Sequence, residues 1–553
     1  MTRDHSRNSP APPRGRSRRI GRPLGIVVTL LLLAGGGYAA YGLVGGDTRE
    51  EDAQVESARE PLTAFLAAWA GHDARKAAGY TDTPDGAASL LTSVLTNLKP
   101  SRTTIDDGEG RREDPGKVRF PFTVTMAVPG AGDITWRSHA RVSETSGTWV
   151  VEFTSPMVHP DLEPGQTLAL KSAGSRAQVL DAQGDPLRAE SLVGTVDPVS
   201  GEGASGLEAR YDDVLSGGGK AGASRSLVVA DRQSGLPVKE LTETAPADGR
   251  PVHTTIDPRV QEAAADALAG TEANAAIVAV DPRNGHILAA ANRPGGFNRA
   301  LEGRYPPGSV FKVVTAAAFL KDGMKAESPA PCPKFARVDG QRFENQKQFE
   351  LPSGSTFADA FTQSCNTYFV DARDRLSDTD LRDTAQAFGI GGRWDVGTTT
   401  YDGSVPVTTS DNDKAAATIG QARIQASPLV MASVAATVKA GTFNQPVLVP
   451  DAVKKKHRAP EELDGDVVGE LRALMRATVT SGSAHALKAL PGRPHAKTGT
   501  AEFGSGTPPR THAWMIGYQG DSDLAWAVLL EDGGSGGADA GPVAERFLRK
   551  LAR

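Results

Sequence analysis

Cysteine is close to absent: the 553 residues hold only Cys332 and Cys365. Either they form one bridge or they are two buried thiols, and geometry decides between these. No cluster of metal-ligating residues and no cofactor motif is visible, and the ten histidines are scattered. Neither sign of charge is in large excess. Lysine and arginine number 61 against 66 acidic residues, a net charge of −5, so no global basic bias draws the chain to nucleic acid. Two glycine-rich stretches, from Gly201 and from Gly217, lack the Gly-x-x-x-x-Gly-Lys-Ser/Thr spacing that cradles phosphate. Internal repeats are missing. Long apolar runs are scarce as well: one lies near the start, and no second follows.

That one run, Leu24 to Gly45, carries no charge and has the length of a membrane-spanning helix. Ahead of it, residues 1–23 form a basic tail with arginine at 3, 7, 14, 16, 18, 19 and 22 against Asp4. A cleavable signal peptide is the alternative, and Tyr38-Ala-Ala offers small residues for cutting. Tail and run are both long for that role. The expectation is an uncleaved single-pass anchor over 24–46. The tail is then cytoplasmic by the positive-inside rule, and everything beyond Gly46 is extracytoplasmic.

Past the anchor, residues 47–53 read as a charged linker. Helical periodicity appears at Pro61–Trp69 and Ala87–Leu95, then gives way to alternation at Val118–Val128, Ile134–Val142 and Thr148–Phe153. Helices followed by an antiparallel sheet predict a small α+β domain over 53–158. Residues 159–252 hold many glycines and short strand candidates at Thr167–Leu170 and Leu227–Ala230, and read as an extended linking domain. Residues 253–553 read as one large domain. Its strands sit at both ends (275–280, 287–291, 512–519 and 523–530), with helices between them near 358–377, 428–439 and 465–480, and a last helix at 541–552. A sheet built from the two terminal parts around a helical middle follows.

Chemistry enters at Tyr305-Pro-Pro-Gly-Ser-Val-Phe-Lys312. Proline and glycine set a turn, and the apolar run behind it predicts a helix starting at Gly308 or Ser309. Lys312 is the only charge between Arg304 and Lys321, so it belongs to a helix with buried character. A buried lysine tends to lose its proton, and a neutral amine beside a hydroxyl is a base beside a nucleophile. Capping is the plainer role for such a serine. No other Ser-x-x-Lys occurs in the chain.

Two further polar groups stand inside apolar surroundings. Thr362-Gln-Ser-Cys-Asn-Thr-Tyr-Phe-Val370 offers Ser364 and Asn366, framed by Phe361, Phe369 and Val370. A second Ser-x-Asn, Ser410-Asp-Asn412, lacks apolar periodicity and reads as a surface loop. His495-Ala-Lys-Thr-Gly-Thr-Ala-Glu-Phe503 offers an ammonium and a hydroxyl on a strand, with a glycine that admits a ligand backbone. Each alone is weak. Ser-x-x-Lys, then Ser-x-Asn 55 residues on, then Lys-Thr-Gly near the end form an ordered set shared by penicillin-binding proteins and serine β-lactamases.

On these motifs the sequence resembles the class B penicillin-binding proteins, monofunctional D,D-transpeptidases of peptidoglycan synthesis. Thr255-Ile-Asp-Pro-Arg-Val-Gln, Ala279-Val-Asp-Pro-Arg-Asn-Gly-His-Ile-Leu-Ala289 and His512-Ala-Trp-Met-Ile-Gly-Tyr518 look like family landmarks. The 53–158 domain and its end, Trp149 to Gly165, resemble the nuclear transport factor 2-like domain of methicillin-resistance-type members. Residues 159–252 would then be the pedestal or dimerisation domain. The pedestal departs from the family in Arg176-Ala-Gln-Val-Leu-Asp-Ala-Gln-Gly184, where Ala177 and Ala182 replace the usual glycine and arginine. Ala422 stands where Gly-Gln-Gly is usual.

The resemblance implies a β-lactamase-like transpeptidase fold, no cofactor and no metal. It implies Ser309 as nucleophile, Lys312 as base, Ser364 as proton relay and Asn366 as orienting amide. Lys497 and Thr498 would hold the substrate carboxylate, beside Gly499, and the N–H of Thr500 would share the oxyanion hole with that of Ser309. Partners would be stem pentapeptides, β-lactams, the cytoplasmic membrane and a glycosyltransferase. A class A β-lactamase would add a deacylating glutamate, yet none occurs between Asn366 and Glu461. A D,D-carboxypeptidase, with water replacing the amine, and a non-catalytic penicillin-binding scaffold or sensor are the remaining alternatives.

Overall fold

The computed structural model describes residues 40–172, 174–198, 201–217, 225–242, 248–504, 506 and 509–553. The basic tail and most of the expected anchor lie outside them. Among the described residues no helix is long and apolar enough to cross a membrane. The stretch 47–53 is not a linker, because a helix, Ala40–Ala70, runs straight through it. Asp-Thr-Arg-Glu-Glu-Asp-Ala holds neither glycine nor proline, so nothing in it stops a helix already begun.

The N-terminal domain wraps this helix and the helix Pro84–Leu98 against a five-stranded antiparallel sheet. Its long central strands, Lys117–Val128 and Gly132–Thr145, pair along their whole length. Inward residues Val118, Phe120, Phe122, Val124 and Met126 alternate with outward ones, as the period-2 pattern requires of a sheet covered on one face. They meet Leu62, Phe65 and Trp69 of the first helix. Two strands, Arg102–Asp107 and Arg111–Asp114, escaped the sequence reading because they are polar and carry few inward apolar residues.

Residues 159–252 share their apolar side chains between two neighbours. The strands Gln166–Ser172 and Arg225–Asp231 pair, Leu168 opposite Val229 and Leu170 opposite Leu227, and these four pack into the N-terminal core. Val179, Leu187, Leu192, Leu207, Leu215 and Val252 join the core of the C-terminal domain instead. Arg176 closes this region through Glu208 and Asp212, the latter at 2.7 Å.

The C-terminal domain is a three-layer sandwich. Its antiparallel sheet runs in the order Ile287–Arg293, Ala275–Val280, Ala525–Leu530, Arg510–Gln519, Pro494–Phe503. Strands from the two ends of the domain thus form one sheet, and Lys497 lies on its edge strand. The helices Pro258–Ala269 and Gly541–Leu551 cover one face. Lys312–Lys321, Pro428–Ala440 and Gly465–Thr480 pack on the other. With both faces covered, the inner strands are apolar throughout: every residue of Ala275–Val280 and Ala525–Leu530 is buried. Ser410-Asp-Asn412 is not a loop. Ser410 caps the helix Asp411–Thr418 by accepting the Asp413 N–H, and the apolar side of this helix is too short to read as periodic.

Candidate active site

The turn that carries Ser309 is a short 3₁₀ segment, Gly308–Phe311, running directly into the helix Lys312–Lys321. Gly308 has φ of +55°, and a Cβ there would lie 2.6 Å from the Thr500 carbonyl oxygen. Only glycine fits, and the close approach seats the Ser309 turn against the edge strand. Gly499 plays the reciprocal part. A Cβ on it would lie 2.9 Å from the Val310 amide nitrogen. The Trp514 indole N–H donates to the Pro306 carbonyl at 3.2 Å and holds the segment leading into the turn.

Lys312 is fully buried. Its Nζ donates to Asn366 Oδ1 at 2.7 Å, to the Ser364 carbonyl at 2.9 Å and to the Cys365 carbonyl at 3.1 Å, above the Phe369 ring. Burial, then the Lys497 charge, pushes its pKa well below the ordinary value. None of the three bonds is directed at Ser309. A neutral amine keeps two N–H groups, so losing a proton breaks one of these bonds and frees a lone pair for the nucleophile. Catalytic hydrogen bonds often tighten only once substrate is bound.

Ser364 sits between two helices, Phe357–Thr362 and Asn366–Asp371, with φ of +64°. A left-handed serine is uncommon, and this one aims its backbone carbonyl at Lys312 and its hydroxyl at the second lysine. Lys497, also fully buried, donates to Ser364 Oγ at 2.8 Å and to the Thr498 carbonyl at 2.9 Å. Burial lowers its pKa to about 7. Thr498 Oγ1 lies 2.7 Å from Ser483 Oγ. Thr500 Oγ1 accepts the Gly536 N–H at 3.3 Å.

Ser309, Asn366 and Thr500 open on one cavity of about 750 Å³, with Glu344, Glu502 and Phe503 among its walls. Ser483 was missed in the sequence because it is one small polar residue in Ser481-Gly-Ser483, with no spacing to mark it. Cys332 and Cys365 form a disulfide, tying the residue between Ser364 and Asn366 to the segment that leads into the hairpin Phe335–Glu344. Among the described residues no group of three or more His, Cys, Asp or Glu side chains is arranged to hold a metal ion.

A serine at a pinched turn, two buried lysines meeting on a second serine, and an open cleft beside them make a site suited to serine acyl transfer. The comparisons with known proteins agree. Residues 275–551 match the penicillin-binding protein transpeptidase domain, and residues 57–166 match the NTF2-like N-terminal transpeptidase domain. The peptidoglycan D,D-transpeptidase PbpA of Mycolicibacterium smegmatis is 31% identical over 421 residues, covering 64% of this chain and 80% of that protein. The protein of the same name from Mycobacterium tuberculosis is 30% identical over 364 residues, 54% of this chain and 72% of the other. Among solved structures, penicillin-binding protein A from M. tuberculosis as its penicillin G acyl-enzyme superposes with a TM-score of 0.56 at 25% identity, covering 69% of this chain and all of that one. The chain belongs to the penicillin-binding protein transpeptidase family.

Proposed function

We propose that the protein is a peptidoglycan D,D-transpeptidase that works through a serine acyl-enzyme and is acylated by β-lactams at the same serine. The observation that carries this is the meeting of two fully buried lysines on Ser364, Lys312 at its carbonyl and Lys497 at its hydroxyl. Neutral Lys312 takes the Ser309 proton as Oγ attacks the penultimate D-Ala carbonyl of a stem pentapeptide. The N–H groups of Ser309 and Thr500 receive the developing oxyanion, which fixed donors stabilise without reorganising. Ser364 passes a proton to the departing D-Ala amine and takes its replacement from the protonated Lys312, and the C–N bond breaks to leave the acyl-Ser309 ester and a neutral Lys312. Asn366 orients Lys312. Lys497 and Thr498 hold the terminal carboxylate, whose negative charge favours the protonated form of Lys497. The amine of a second stem peptide then attacks the ester and gives its proton to Lys312, which returns it to Ser309 Oγ as the C–O bond breaks and the cross-linked product leaves.

The anchor over 24–46 would hold this site outside the cytoplasmic membrane, next to the glycosyltransferase that supplies fresh glycan strands. A synthetic stem pentapeptide with an amine acceptor tests the reading. Cross-linked product and released D-Ala in equal amounts support it. D-Ala released with only the hydrolysed peptide would favour a D,D-carboxypeptidase, and no release would favour a scaffold.

A further inference from the structure

Asn366 is held by two consecutive residues that no motif marks, Glu344 and Asn345, at the end of the hairpin strand Gln341–Glu344. The Asn366 side chain donates from Nδ2 to the Glu344 carbonyl at 2.9 Å, so its Oδ1 must face Lys312. The Asn366 backbone N–H donates to Asn345 Oδ1 at 2.7 Å, and the Thr367 N–H donates to the same oxygen at 3.1 Å. Asn345 is fully buried. Its two amide hydrogens have the Phe349 and Pro333 carbonyls as nearest acceptors, at 2.9 and 3.0 Å, and Cys332 Sγ lies 3.2 Å away. Two backbone donors on one side and two carbonyl acceptors on the other leave the amide a single orientation. A buried amide costs free energy unless all its groups are paired, and here they are. It thus ties the start of the Asn366 helix to the segments on either side of the hairpin.

We propose that Asn345 is a positioning residue for acylation: it fixes the backbone of Asn366, and through Asn366 Oδ1 the Lys312 amine, at the geometry that Ser309 needs. This rests on the acyl-transfer reading. The charged group that acts on the Lys312 amine is Lys497 on the edge strand, while Arg342, Glu344, Asp413 and Glu502 line the cleft on which Asn366 opens.

The test is the benzylpenicillin acylation rate constant in Asn345→Ala, Asn345→Leu and Asn345→Asp, followed by intact mass so that only molecules that acylate are counted. In Asn345→Ala and Asn345→Leu the rate constant is expected to fall tenfold or more, with the pre-covalent dissociation constant within about threefold of wild type. Leucine restores volume but not the acceptor, so it is not expected to rescue. Asn345→Asp keeps the acceptor for both backbone amides. A proton on its other oxygen replaces one of the two donors, so it is expected to acylate within about threefold of wild type at pH 6. It is expected to fall progressively behind wild type as the pH rises, when that oxygen loses its proton and faces the Phe349 and Pro333 carbonyls as a carboxylate. Acylation by Asn345→Leu or Asn345→Ala within twofold of wild type would overturn the proposal. If neither folds, an Asn345→Asp profile superposing on wild type would overturn it. Failure of wild type itself to acylate would instead count against the acyl-transfer reading.

Discussion

The two large sheets of this chain solve different problems. The N-terminal sheet is covered on one face. Its strand Lys117–Val128 alternates buried apolar with more exposed residues, and among the described residues of this domain no Asp, Glu, Lys or Arg is buried. The C-terminal sheet is covered on both faces, and its edge strand carries Lys497 at zero exposure, beside a second lysine buried just as deeply. Burying an ammonium is expensive, and the packed layers keep these amines in place where a solvated face would let them turn to water. The first sheet spends its packing on its own stability. The second uses part of its packing to hold two desolvated amines next to a nucleophile, where burial favours their neutral form.

The sharpest way to break this contrast is to remove one of the two amines. Lys312→Ala is expected to lower the benzylpenicillin acylation rate constant by about 10³-fold, within the range for a lost general base, while the protein stays folded by circular dichroism. The mirror experiment is made in the other sheet's core. Trp69→Ala is expected to destabilise the N-terminal domain by about 3–5 kcal/mol in a denaturant titration. Acylation per folded molecule should stay within twofold of wild type. A tenfold loss there would erase the division of labour.

A smaller effect separates the domains by pH. The folded pKa of Lys497, about 7, lies below its ordinary 10.5, so between those values the unfolded chain binds the extra proton. The penalty for burying the charge is full below about pH 7 and fades as pH rises toward 10.5. Lys497→Met is therefore expected to melt above wild type by the widest margin at pH 6, with the margin shrinking toward pH 10. Smallest is Ala422→Gly. Ala422 adopts φ of +60° on the wall of the active cleft, where an alanine Cβ is strained. Glycine is expected to add about 1 kcal/mol of stability in a thermal melt.

How far the sequence could be read follows from the same contrast. Alternation along Lys117–Val128 marked the first sheet because one of its faces meets solvent. The second sheet was visible as short apolar runs, and the spacing of Ser309, Lys312, Ser364, Asn366 and Lys497 singled out residues that the structure brings together. The Cys332–Cys365 bridge stayed open because pairing depends on geometry, not spacing. Asn345 and Ser483 were not legible at all. Each acts from a segment remote in sequence, through hydrogen bonds that become apparent only once the chain has folded. Ser410-Asp-Asn412 misled in the other direction: a polar helix start resembles a loop when only its last residues are apolar.

The most direct test of the central claim is intact mass of the protein after incubation with benzylpenicillin, beside Ser309→Ala. One stable adduct of the antibiotic's full mass is expected on wild type and none on the variant. An adduct that persists on Ser309→Ala, or penicillin hydrolysed rapidly with no adduct on wild type, would contradict the account.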